Sequence, residues 1–468
     1  MRRWLLRATC VAACCVGALS AQADRFEIGL RLRTFERALA RTEDPARRDA
    51  AFGALEEAVQ AFFGLDMRRV ASSIEDASNA LAGRAPGPEE ALARSLQVLP
   101  EARLVDARGG ALPVAIRPMY PVEQGADGAD LTLAWRLRDG EEWRRHPLSE
   151  LPAQLDVTLG PLPEGDHEFH WTIAVGADVR VDRRMAFAAA NDLDARLGAL
   201  RAAAAVAKQR TPRTVESLTL GSLWSLLRTT RRRNAYETEL QGLSLLLEAE
   251  RLAAWLEGGG EGQVYDGRRP GSFRLRVPVG GSAVSCRLFA PEVDAGARPL
   301  VVALHGAGGS ENLFFDGYGD GLCVALAERR GWFVVSPRNG MGALDVAGLV
   351  DALRARYAID ERRVFVVGHS MGAMQAMRNV SATPSRFRAA APIAGGGRVR
   401  ASDALAAVPF FVAAGARDFG RQSARRLHRQ LEAAGANAAW RLYPSVEHLA
   451  IVQVALPDVF AFFDEHAR

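Results

Sequence analysis

The stretch Val364-Phe365-Val366-Val367-Gly368-His369-Ser370-Met371-Gly372 decides how the chain is read. Four consecutive apolar residues make the short run expected of a strand buried on both faces of a parallel sheet. Gly368-His369-Ser370-Met371-Gly372 then follows the spacing G-x-S-x-G. In that pattern the serine sits on a sharp strand-to-helix turn, with glycines where side chains would clash. Met371 to Met377 continues as a helix. The five letters alone carry little weight, and strand, turn and helix in that order supply the context they need.

A serine hydroxyl is a poor nucleophile until a base takes its proton, and the base needs an acid to orient it. Working downstream, the apolar run Phe410 to Ala414 ends shortly before Asp418, and the run Trp440 to Tyr443 is followed by His448. His428 falls inside a helix expected over 421–434, and His466 lies two residues from the end of the sequence. Asp403 follows its strand at a distance, and Glu447 would have to fold back on its own neighbour. Ser370, Asp418 and His448 are therefore the catalytic candidates. Working upstream, Leu300 to Leu304 runs into His305-Gly306-Ala307-Gly308-Gly309-Ser310. A developing oxyanion needs preorganised donors, and the backbone N–H groups of Met371, Ala307 and Gly308 are the candidates. Phe314, Phe315 and Tyr318 follow, as the wall of an acyl or aryl pocket or, equally, as packing.

From 261 to 468, strand-like runs alternate with helical ones, which predicts a mostly parallel sheet flanked by helices, an α/β architecture with its site at the carboxyl ends of strands. The 468 residues are too many for one core and suggest roughly three units. Residues 24–98 carry apolar positions at helical spacing, among them Phe26, Leu30, Phe35, Leu39, Leu55, Val59, Phe62 and Phe63. Over 99–190 short alternating runs with frequent turn residues suggest an immunoglobulin-like β-sandwich. Residues 191–260 return to helix as a connector that ends at Gly258-Gly259-Gly260.

Residues 1–23 combine basic residues, a short apolar core and Ala21-Gln22-Ala23, which reads as a signal peptide for export to the periplasm or beyond. A lipoprotein anchor at Cys14 is the lesser alternative, and no integral span is expected once the leader is gone. The net charge of +4 falls to +1 without Arg2, Arg3 and Arg7, so nothing points to nucleic acid as a partner. Only Cys286 and Cys323 remain outside the leader, free to form one disulfide or to stay as buried thiols. Neither the cysteines nor His167 and His170 show a metal-site spacing, so no metal is expected.

The elements His305-Gly306, Tyr357 to Val364 leading into the serine turn, Asp418 and His448 resemble the α/β-hydrolase superfamily. Within it they are most similar to esterases related to polyhydroxybutyrate depolymerases and feruloyl esterases, and to the catalytic domain of prolyl oligopeptidases. The resemblance covers residues 261–468 and not the front half. It implies a cofactor-free serine esterase: Ser370 attacks the carbonyl of a small or polymeric ester, His448 shuttles the proton, Asp418 orients His448, and water releases the acyl group. A serine peptidase is one rival, weakened by the lack of an upstream propeller and by Met371, which replaces a small or amide-bearing residue. A noncatalytic surface-binding protein on a hydrolase scaffold is the other, and it has no need of all three candidate residues.

Overall fold

In the computed structural model residues 25–122, 128–137, 141–230, 236–292, 296–340 and 342–468 are described. The leader read at 1–23 lies outside them. A helix over 25–41 (α1) leads into α2 (Pro45–Phe63) and α3 (Met67–Ala82). Asp44 starts α2 by accepting from the N–H groups of Ala46 and Arg47, with Pro45 at the first helical position. After α4 (Pro88–Ser95) come β1 (Leu96–Pro100), β2 (Leu104–Asp106), β3 (Gly110–Pro118), β4 (Leu131–Arg136), β5 (Arg144–Pro147), β6 (Ala153–Leu159), β7 (Gly165–Val175) and β8 (Asp178–Ala190). They form two sheets of order β1-β3-β6 and β2-β8-β7-β4-β5. Val114 and Ile116 from one sheet share a buried core with Phe169, Trp171 and Ile173 from the other. Three helices follow, α5 (Leu193–Arg210), α6 (Val215–Thr230) and α7 (Gly242–Glu257).

The rest of the chain builds one large sheet and the helices on it. Its strands are β9 (Gly271–Val279), β10 (Ser282–Ala290), β11 (Arg298–Leu304), β12 (Phe333–Pro337), β13 (Ile359–His369), β14 (Ala389–Ile393), β15 (Phe410–Gly415) and β16 (Ala438–Tyr443). The helices are α8 (Leu313–Asp316), α9 (Leu322–Glu328), α10 (Val346–Arg354), α11 (Met371–Ala382), α12 (Asp403–Ala406), α13 (Arg421–Ala433) and α14 (Ile451–His466). The order is β16-β15-β14-β13-β11-β12-β10-β9, with β9, β10 and β12 antiparallel neighbours and every pair from β12 to β16 parallel. The α/β architecture expected from the alternation is present, and the central strands are the continuous apolar runs that two covered faces require.

Side chains alternate between the faces, so each run feeds two separate cores. Leu300, Val302, Leu304, Val364 and Val366 pack with α10, α11 and α13, and also with Leu220, Leu223 and Leu227 of α6 and Leu246 of α7. Val301, Ala303, Phe365 and Val367 pack with α14, and also with Phe35 and Leu39 of α1, Phe52 and Leu55 of α2, and Ile74 and Leu81 of α3. The front half therefore contributes to both layers. Cys286 belongs to the first layer and Cys323 to the second, and both are free, which closes the disulfide option. Among the described residues no helix is long and apolar enough to cross a membrane.

Candidate active site

Ser370 stands at the carboxyl end of β13 with φ 55° and ψ −112°, a conformation that a residue with a Cβ rarely adopts. Strain of this kind costs about 1–3 kcal/mol and persists only where the surroundings fix it. The Ser370 N–H donates to the carbonyl of Ile393 on the neighbouring β14 at 2.9 Å. The flanking glycines are required by close approach: a Cβ on Gly368 would lie 2.2 Å from the Gly372 carbonyl oxygen, and one on Gly372 1.9 Å from that of Leu304. The serine turn is thus wedged against the end of β11.

Asp418 and His448 sit on the loops beyond β15 and β16, both buried. His448 Nδ1–H donates to Asp418 Oδ1 at 2.8 Å, and the Gly420 N–H donates to the same oxygen at 2.6 Å. The bond fixes the imidazole so that Nε2 is left for other work. Glu447, the neighbouring acid, turns away and accepts from the N–H groups of Leu449 and Ala450 at 2.8 and 2.6 Å. Burial pushes its carboxyl up to about 8. His428 bonds the Ala438 carbonyl, His466 ends α14, and Asp403 is exposed at the start of α12, so none of them joins the pair.

A second histidine, unassigned in the sequence reading, ties the loops together. The Gly306 N–H points to the Tyr318 hydroxyl at 3.4 Å, and that hydroxyl donates to His369 Nδ1 at 2.9 Å. His369 Nε2–H then donates to the carbonyl of His448 at 3.0 Å. Burial holds His369 well below the usual imidazole range, so the ring is neutral, and these partners assign its proton to Nε2. The two imidazoles lie 4.7 Å apart, which puts His448 beside the residue that precedes Ser370. His305 is likewise a positioning group, donating from Nδ1 to the Gly306 carbonyl and accepting at Nε2 from the Asn339 N–H.

Ala307 and Gly308 are exposed on the loop after β11, and the N–H of Met371 lies in the first turn of α11, where no intrahelical acceptor exists. The front half grips this loop. The Ser310 N–H and Oγ–H both donate to Glu237 Oε1, at 2.9 and 2.5 Å, while Arg25 pairs with Oε2 at 2.8 Å. Phe62 of α2 closes over Gly308, where an added Cβ would meet its Cζ at 2.5 Å. Glu36 of α1 accepts from the Gly319 N–H at 3.2 Å, in a turn where residues 318 to 321 all have positive φ. Nothing local in the sequence announces these contacts, because each joins segments tens to hundreds of residues apart.

Phe314, Phe315 and Tyr318, read as pocket wall or packing, are all buried. Phe314 is fully buried and meets Tyr318 edge-on at 4.9 Å, and Tyr318 is committed to His369. Phe315 lies beneath the Arg287 guanidinium and lines a charged cleft of about 640 Å³, together with Arg274 and Glu239 but not Ser370, Asp418 or His448. Among the described residues no cluster of His, Cys, Asp or Glu could hold a metal ion.

A model of the alpha/beta hydrolase family matches residues 301–466. The chain is 30% identical over 149 residues to a bifunctional acetylxylan esterase/xylanase of Neocallimastix patriciarum, covering 30% of this chain and 22% of that protein. It is 32% identical over 119 residues to poly(3-hydroxyalkanoate) depolymerase C of Paucimonas lemoignei, covering 21% of this chain and 28% of that protein. The matches thus span about a quarter of the length of these curated relatives. Among solved structures, a ferulic acid esterase aligns at 15% identity with a TM-score of 0.38, covering 43% of this chain and 98% of that one. It is to the alpha/beta hydrolase family that residues 301–466 of the chain are similar.

Proposed function

We propose that the chain hydrolyses carboxylic esters through an acyl-enzyme on Ser370. The observation that carries this reading is the buried 2.8 Å bond from His448 to Asp418, set beside a serine held at positive φ on its turn. In the proposed cycle, His448 Nε2 takes the Ser370 proton as Oγ attacks the ester carbonyl. The carbonyl electrons move onto oxygen, where the N–H groups of Met371 and of Ala307 or Gly308 receive the charge. Collapse expels the alcohol, protonated by His448, and leaves the acyl group on Ser370. Water, deprotonated by the same imidazole, then releases the acid and restores the serine. Asp418 stabilises the imidazolium throughout.

The names of the two curated relatives support an ester, small or polymeric, as the substrate. The leader composition of residues 1–23 supports export. The test compares the parent with Ser370→Ala on short-chain nitrophenyl esters and on peptidyl anilides. Ester turnover lost in the variant is the expected result. Faster anilide cleavage would replace the esterase with a peptidase, and the absence of turnover together with no fluorophosphonate labelling at Ser370 would overturn catalysis altogether.

A further inference from the structure

Among the described residues eight large apolar side chains are exposed, and four of them, Phe63, Leu65, Met374 and Phe419, lie on the elements around Ser370. Phe63 ends α2, Leu65 follows in the turn to α3, Met374 is one helical turn past Ser370, and Phe419 follows Asp418. Scattered exposed apolar residues need no explanation, whereas a cluster beside a reactive centre does. Here the cluster is continuous with the chemistry. The Phe419 ring lies 4.2 Å from that of His448, and Phe63 meets Phe419 edge-on at 5.2 Å. The row is pinned by Arg417, which pairs with Asp49 and Glu56 of α2 at 3.2 and 3.0 Å. Leu65 has φ 60°, where a glycine would relieve strain, yet an 83% exposed leucine stands there.

We infer that Phe63, Leu65 and Phe419 form an apolar subsite for the alcohol portion of the ester, built jointly by the front half and the hydrolase region. The assignment to the alcohol side follows from the proton's path and rests on the esterase reading above. His448 must hand its proton to the departing alkoxide oxygen, so the leaving group lies against the imidazole, whose ring is 4.2 Å from that of Phe419, which in turn meets Phe63 at 5.2 Å. A long alkyl or aryl alcohol reaches the row, and methanol does not.

The experiment measures kcat/KM for benzyl, octyl and methyl acetate, and separately for nitrophenyl esters of increasing acyl length, in the parent, Phe63→Ser and Leu65→Ser. Both positions are exposed, so the substitutions leave the packed layers intact. The expected result is a fall of roughly tenfold in the benzyl-to-methyl ratio for Phe63→Ser, a smaller fall for Leu65→Ser, and no change in the acyl-length profile. An unchanged alcohol ratio, or a loss that tracks acyl length instead, overturns the subsite. So does an unchanged ratio accompanied by dissociation of a dimer, which would make the row a contact between two copies. If the parent neither turns over any ester nor labels at Ser370 with a fluorophosphonate, the esterase reading fails and takes the subsite with it. A parent that labels normally and shows no alcohol dependence loses the subsite alone.

Discussion

Asp418 and Glu447 are both buried acids within reach of the His448 loop, and their surroundings divide the labour between them. Asp418 receives the imidazole N–H, so Asp418→Asn is expected to lower kcat by about four orders of magnitude, read from single-turnover acylation. Glu447 receives only backbone N–H groups, and its folded-state pKa of about 8 lies above the ordinary carboxyl value. A raised acid binds more protons folded than unfolded, so its contribution to stability is complete below the unfolded pKa and is lost as pH rises through the folded one. Melting temperature should therefore decline between about pH 5 and pH 8 in the parent, and more shallowly in Glu447→Gln. A steeper decline in the variant would contradict the assignment. Ser370, Asp418 and His448 could be proposed as candidates from the sequence because Ser370 ends one strand-like run and the other two lie one loop beyond two others. His369 was quoted there only as a letter of the motif, since its partners, Tyr318 and the His448 carbonyl, are 51 and 79 residues away.

At the scale of elements, the loop after β11 is held from three directions: by His305 and Asn339 within the hydrolase region, by Glu237 from the connector, and by Phe62 from α2. Removing the carboxylate in Glu237→Ala leaves the buried Ser310 N–H without its acceptor, a loss of about 1–3 kcal/mol. Because that loop bears the proposed oxyanion donors, kcat should fall about tenfold or more while KM moves little, and Glu237→Gln, which keeps an oxygen in place, should recover part of it. Equal changes in kcat and KM would mean that the contact is structural only. The core strands were readable from the sequence as unbroken apolar runs. The start of β13 was not, because Asp360 to Arg363 are charged and largely exposed where the strand enters the sheet.

At the scale of the whole molecule, periodicity in the sequence marks which face of a helix is apolar but not what covers it. The segment 24–98 was therefore readable as helical, while its place on the hydrolase sheet was not. Phe35, Phe52, Leu55, Ile74 and Leu81 are buried there, each contributing about 1.5–3 kcal/mol by leaving water. A chain reduced to residues 261–468 should uncover that layer together with the one beneath α6 and α7, and should aggregate or bind a hydrophobic dye. A soluble fragment melting as cooperatively as the parent would refute this dependence.

The same arrangement constrains the order of events in making the protein. Gln453 of α14 donates its side-chain N–H to the Glu36 carbonyl of α1, a bond between residues 417 positions apart. Helices α1 to α3 leave the ribosome well before α14 and wait for it with their apolar sides uncovered. Any route that carries the chain unfolded gains from that delay, because the sheet cannot be closed around until α14 is present.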